Sequence, residues 1–152
     1  VETTKYESAM REAFALAMNA QEANDVPVGA VVIDASGNII GRGFNTREVT
    51  NYPIGHAEVN ALNDAAKNLG SWRLDDCTLV VSLEPCTMCA GAIVQSRIAR
   101  VVFGAFDEKA GAVGSLWDVV RDSRLPHRPE VISGVLANEA AQILTDFFKS
   151  KR

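Results

Sequence analysis

Two short segments of this 152-residue chain carry residue types that can do chemistry together: His56-Ala57-Glu58 and Pro85-Cys86-Thr87-Met88-Cys89. Cys86 and Cys89 stand three apart, so on a helix they share one face and can converge on one ion. A helix opening there would offer its positive end to a thiolate, the form a metal needs. His56 would add a neutral nitrogen. Three protein ligands leave the fourth position of tetrahedral zinc for water, which is the arrangement of catalytic sites. Zinc with two thiolates is formally neutral, and the pKa of its water falls from about 15.7 to about 7 in such sites. Glu58, two residues after His56, points to another side of a regular helix and is not a ligand on the same footing. It reaches the same point if the metal lies off the helix tip, where an unliganded carboxylate can take a proton and deliver it elsewhere.

Each part alone is weak. A lone Cys-x-x-Cys at a helix start also describes a thioredoxin-like redox pair, and a lone His-x-Glu says little. A closed structural zinc site needs a fourth ligand. Cys77 could supply it, but it opens an expected strand and reads as a small buried residue. His127, the other histidine, reads as a surface or capping group. The two segments together are far more specific than either.

Hydrophobic periodicity supplies the elements that would position them. Residues 5–24 read as a helix, with Tyr6, Ala9, Met10, Ala13, Leu16 and Ala17 near helical spacing. The apolar run 26–33 reads as a buried strand, Ala35-Ser36-Gly37-Asn38 turns the chain, and 39–45 returns as a hairpin partner. Residues 46–55 read as a loop. A helix from about His56 to Leu69 stops at Gly70. Residues 78–83 make a β-branched strand, and Pro85 suits the first turn of a helix running to about Ser96. A short strand covers 101–104, a flexible glycine-bearing loop 104–114, a short helix 116–121 and a last strand 131–136. Asn138 is expected to cap a final helix whose apolar side carries Ala140, Ile143, Leu144, Phe147 and Phe148. Alternating elements predict an α/β layered fold, one domain over residues 1–152. The connections between the third, fourth and fifth strands are long enough for crossovers, so part of the sheet should be parallel.

H-x-E followed by P-C-x-x-C is the signature of the zinc nucleobase deaminases, and the wider chain resembles the bacterial tRNA-specific adenosine deaminases. Val26-Pro27-Val28-Gly29-Ala30, Asn45, Leu83 to Gly91, Ser96-Arg97-Ile98, Arg100 to Ala105, Gly114-Ser115-Leu116, His127-Arg128 and Asp146-Phe147-Phe148 carry the likeness along almost the whole length. This resemblance, rather than any spacing, implies a cytidine deaminase-like fold: three layers, α/β/α, with a five-stranded mixed sheet and helices on both faces. It implies that His56, Cys86 and Cys89 bind one Zn2+ per chain and that Glu58 shuttles protons. Asn45 would bond the base or its ribose, and Val28 would wall the pocket. Main-chain groups at Ala57 and near Glu84 would meet the base and the attacking water, and Asp107 and Phe147 would stand at the rim. The implied substrate is adenosine at the wobble position of a tRNA anticodon loop, converted to inosine by a homodimer.

The chain departs from that pattern near the expected rim. Pro126 stands where Asn is common, Phe106 where a polar or basic residue is common, and Ile54-Gly55 where Thr-Ala is frequent. A deaminase of a free base or nucleoside, such as cytosine or guanine, would share the zinc signature. A purely structural zinc domain would have no use for Glu58.

Composition bounds the remaining classes. With 47% hydrophobic and 22% charged residues the chain is globular, which excludes disordered and collagen-like classes. No apolar run is long enough for a membrane-spanning helix. The polar start, Val1-Glu2-Thr3-Thr4-Lys5, is not a signal peptide, so a cytoplasmic location is expected. A net charge of −4 argues against coating nucleic acid non-specifically. Residues 121–152 hold six Lys/Arg against four Asp/Glu, a local basic bias that suits a solvated surface or a polyanionic partner.

Overall fold

β-branched residues pack well on a pleated surface, and the Val-rich stretches of this chain become the middle of a sheet. The computed structural model describes residues 4–151; Val1, Glu2 and Thr3 of the polar start and Arg152 of the basic tail lie outside it. A single 3-10 turn leads into α1 (Glu7–Glu22), followed by β1 (Gly29–Ile33), β2 (Ile39–Phe44), α2 (Arg47–Thr50) and α3 (Ala57–Leu69). β3 (Thr78–Leu83), α4 (Thr87–Gln95), β4 (Arg100–Ala105), β5 (Glu130–Ile132) and α5 (Ala137–Ser150) complete the order. The strands run β2-β1-β3-β4-β5, antiparallel on both sides of β1 and parallel from β3 to β5. This is the expected five-stranded mixed sheet.

Alternation along the strands builds two cores. Val31, Ile33, Val80 and Val102 face Tyr6, Met10 and Ala13. Their neighbours Ala30, Val32, Leu79, Val81, Val101 and Phe103 face the opposite way, under Ala57, Ala61 and Leu62 of α3 and Ile93 of α4. α5 lies on the α1 side, where Glu139 pairs with Arg11 at 2.8 Å. Helices therefore cover both faces.

The seam between β2 and α3 sets the position of the chemistry. A Cβ at Gly43 would stand 2.4 Å from the Ala57 carbonyl oxygen, and one at Gly41 2.6 Å from that of Ala61. Ala57, Ala61 and Ala65 recur once per turn on α3, so small residues face small residues and the helix lies directly on the strand. Gly70 ends α3 in the left-handed region at φ 73°, as its position suggested.

Several local expectations give way to tertiary contacts. β1 starts only at Gly29, because Val28 N–H turns back to Val26 O at 2.9 Å. The loop 46–55 contains the one-turn helix α2. Pro85 precedes α4 rather than entering its first turn, since Cys86 is the N-cap. No helix forms at 116–121; Val113 bridges Asp118, and the N–H groups of Leu116 and Trp117 return to Gly111 O. The last strand stops at Ile132. Asn138 sits inside α5, whose cap position is Leu136 in the left-handed region at φ 53°.

Candidate active site

α3 and α4 both begin at one end of the sheet, and each begins on a residue of the sequence signature. His56 is the N-cap of α3 and Cys86 the N-cap of α4, both in extended backbone. Cys89 follows in the first turn of α4 and is fully buried. His56 Nδ1 lies 3.5 Å from Cys86 Sγ and 3.5 Å from Cys89 Sγ. Tetrahedral zinc with bonds of about 2.3 Å to sulfur and about 2.0 Å to nitrogen places S and N about 3.5 Å apart. The three donors therefore stand where ligands of one tetrahedral ion would stand, all within 4.8 Å of one another. Their chemistry fits as well. The Cys89 thiol donates to Cys86 and holds the Cys86 thiol down at about 3, with His56 adding to the effect, so this sulfur is a thiolate. Its hydrogen bond to Cys86 in turn raises His56 above the usual histidine value. Cys77, buried 3% exposed at the foot of β3, is not part of the cluster. His127 is not either; its ring Nε2 is 2.6 Å from the carbonyl of Ile98, which anchors the 123–129 segment.

Glu58 shares a cavity of about 190 Å³ with His56, Cys86, Val28, Asn45 and Arg47. Only 4% of it is exposed, and burial pushes its carboxyl up to about 7. The different helix faces of His56 and Glu58 are reconciled because the cluster lies off the helix tip. A carboxyl titrating near neutrality can both accept and return a proton, which is what general acid–base work needs.

The other expected contacts are partly rearranged. Asn45 ends the β2 arm, and its Oδ1 accepts the Ala57 N–H at 2.9 Å, so the amide nitrogen is the group left for the cavity that Asn45 lines. The Ala57 N–H is thereby committed to Asn45, and the Glu84 N–H to Ala105 O at 2.9 Å. Asp107 lines the cavity. Its Oδ1 also accepts the N–H groups of Lys109 and Ala110, which shapes its own turn. Phe147 does not stand at the rim: it is buried at 6% exposure, and the next residue, Phe148, is the exposed ring at 51%. One helical step is 100°, and at this point of α5 it carries the chain from the buried face to the exposed one.

Three features escaped the sequence reading. The Glu84 side chain is buried and gathers the loop that was expected to be flexible. Its carboxylate accepts N–H groups of Asp107 at 2.9 Å, Val113 at 3.1 Å and Ser115 at 3.0 Å, and the Ser115 hydroxyl. Burial opposes ionisation there, but the donors, Ser115 first, outweigh it and hold the carboxyl below its usual range. Asp25, 2% exposed, accepts Val26 N–H at 2.9 Å and Glu48 N–H at 2.8 Å, tying α2 to the start of β1. That contact sets the segment from which Arg47 reaches the cavity. A lone acid wedged between an apolar run and a proline, as in Leu83-Glu84-Pro85, was the available signal for the first.

A three-layer α/β/α fold whose helix tips bring one histidine and two cysteines together beside a buried glutamate defines a nucleobase deaminase of the cytidine deaminase-like kind. The chain belongs to the MafB19-like deaminase family, which it matches over residues 4–152. It is 51% identical over 146 residues to a tRNA-specific adenosine deaminase of Haemophilus influenzae, covering 96% of this chain and 84% of that one. A solved structure from work on A-to-I editing by tRNA:A34 deaminases at the wobble position superposes with a TM-score of 0.86 at 40% identity, over 90% of this chain and 99% of that one. Guanine deaminase from Bacillus subtilis superposes with a TM-score of 0.65 at 33% identity, over 95% and 94%. The chain is a deaminase. No described helix is long and apolar enough to cross a membrane.

Proposed function

We propose that this chain is a zinc-dependent hydrolytic deaminase, a single domain over residues 1–152, that converts adenosine to inosine at the wobble position of a tRNA anticodon loop. The carrying observation is the tetrahedral spacing of His56 Nδ1 and the two sulfurs beside the buried Glu58. His56, Cys86 and Cys89 would hold one zinc per chain. When bound, zinc supplies an acidified nucleophile at neutral pH. Glu58 takes one proton from the attacking water as its oxygen bonds to the amine-bearing carbon and delivers that proton to the ring nitrogen of adenine; it then takes the second proton from the new hydroxyl and delivers it to the amine as the C–N bond breaks and the carbonyl forms. Adenosine and water thus become inosine and ammonia, with one carboxylate moving each proton. Val28 closes an apolar wall against the base, the Asn45 amide nitrogen donates to the base or its ribose, and Asp107 stands at the mouth. The name of the Haemophilus influenzae relative supports the tRNA substrate. The enzyme acts in the cytoplasm as a homodimer on this reading.

The base-sized cavity, about 190 Å³, also suits a second reading, a deaminase of a free base such as guanine, as in the Bacillus subtilis neighbour. One assay separates them. Purified protein is given an anticodon hairpin with adenosine at the wobble position, free adenosine, guanine and cytosine. Inosine in the hairpin with no turnover of the free compounds is expected, together with one zinc per chain by elemental analysis. Glu58→Gln should retain zinc and lose at least 10²-fold to 10⁴-fold in rate, on the order expected for a lost acid–base group. Rapid turnover of a free base with an unedited hairpin would replace the first reading by the second.

A further inference from the structure

β2 is an edge strand, with backbone N–H and C=O groups of alternate residues pointing away from the sheet. Three side chains of α3, four residues apart, meet them. Asn60 Nδ2 donates to Phe44 O at 2.9 Å, Asp64 Oδ2 accepts the Arg42 N–H at 2.9 Å, and Asn68 Nδ2 donates to Ile40 O at 2.8 Å. Four helical residues rise about 6 Å and two strand residues about 6.5 Å, so the two repeats run in step. The glycines of β2 provide the clearance: a Cβ at Gly43 would stand 2.9 Å from Asn60 Cβ.

The rung at Asn60 does more than seat a helix. Its Nδ2 also reaches Thr46 Oγ1 at 3.0 Å, so one amide grips the residues on both sides of Asn45. A carbonyl oxygen only accepts, so the atom of Asn60 that faces Phe44 O is the nitrogen. The backbone there is held as well, Asn45 N–H by Val28 O at 3.3 Å and Thr46 N–H by Gly55 O at 2.8 Å. With its main chain clamped and its Oδ1 on the Ala57 N–H, the buried Asn45 side chain has one direction left for its amide nitrogen, toward the cavity that it lines. Asn60 itself stands outside that lining.

We infer that Asn60 is a positioning residue: by clamping Phe44 and Thr46 it fixes the direction in which the Asn45 amide nitrogen meets the substrate. The inference rests on the reading of Asn45 as a substrate donor given above, and it holds equally for an RNA or a free base. A donor that is aimed before the substrate arrives loses little entropy on binding. Releasing the clamp therefore weakens binding and leaves the metal ligands and Glu58, which α3 and α4 hold by their own backbones, in place.

The test measures kcat and KM on whichever of the hairpin and the free compounds wild type deaminates, with zinc content and far-UV circular dichroism for each variant. Asn60→Leu removes the donor without adding charge, and Asn60→Asp removes it at nearly constant shape. Asn45→Asp keeps the acceptor for the Ala57 N–H and removes the substrate donor. Each Asn60 variant should raise KM by about threefold to tenfold, the worth of one hydrogen bond, with kcat within about twofold. In the Asn45→Asp background neither should add a further loss. Asn68→Ala deletes a like rung about 12 Å farther along α3 and should leave both constants alone. Thr46→Val deletes one of the two clamp contacts; it should raise KM by a smaller factor, and it decides the question where a residue-60 variant does not fold. An unchanged KM, a fall in kcat alone, a loss confined to Asn60→Asp, an equal loss in Asn68→Ala, or a loss that multiplies with Asn45→Asp would overturn the positioning role. Asn45→Asp that matches wild type would remove the Asn45 reading, and this inference with it. Wild type that deaminates none of the compounds would overturn the proposed function before any variant is compared.

Discussion

Replacing Glu84 by glutamine keeps the shape of the side chain and removes the charge that gathers the chain from Asp107 to Ser115. In the native protein Oε1 accepts from Asp107 N–H and the Ser115 hydroxyl, while Oε2 accepts from the N–H groups of Val113 and Ser115. Glutamine would set an NH₂ donor against one of these two pairs, whichever way the amide is turned. The Ser115 hydroxyl can turn to accept from that NH₂, so the better placement leaves the Asp107 N–H without its acceptor at about 1–3 kcal/mol, and the surviving bonds are no longer charge-assisted. Allowing water to reach part of the opened loop, the expected loss is roughly 3 kcal/mol. For a chain of this size that lowers Tm by about 6–12 °C. Urea and thermal unfolding of Glu84→Gln against wild type would measure it. The effect has a pH signature. Because the folded carboxyl sits below its unfolded value, its stabilisation is complete above that unfolded value, about 4.3, and is lost as pH falls through the folded one. The gap between wild type and variant should therefore be flat from neutral pH down to the unfolded value and close only in stronger acid. A gap under about 0.5 kcal/mol at neutral pH, the size of an ordinary surface change, would refute the reasoning.

Gly43→Ala places a methyl group 2.4 Å from both Ala57 O and Ala61 N, so α3 must lift from β2. A loss of about 1–3 kcal/mol and a weaker hold on zinc, read by unfolding and competitive chelation, is the expected outcome. Stripping the metal with a chelator should abolish turnover and make the half-buried Cys86 thiolate react quickly with a thiol reagent, while buried Cys77 stays slow; added zinc should protect Cys86 again. Arg11→Ala removes an exposed ion pair to Glu139 and should change stability by less than about 1 kcal/mol, measured by urea unfolding.

Much of this protein is written in local order. Strand 78–83 is legible because β-branched residues crowd it, and α3 because apolar periodicity ends on a glycine that tolerates left-handed backbone. His56, Glu58, Cys86 and Cys89 are legible because metal and acid–base chemistry demand those residue types at those intervals. What lies between is settled by partners distant in sequence. Periodicity around 116–121 suggests a helix, yet Glu84, 31 residues before Ser115, draws that segment into a different path. Two adjacent phenylalanines read alike along the chain, and only the seat of α5 on the sheet buries Phe147 and leaves Phe148 outside. The convergence of His56 with the cysteines, 30 and 33 residues later, depends on the small-residue seam that lays α3 on β2 and on the parallel turn into α4. Local sequence determines residue types and backbone preference because those are short-range properties. Which helix tips meet, and which carboxylate finds four donors, is decided by packing, since burial is favourable only when every polar group it removes from water finds its partner.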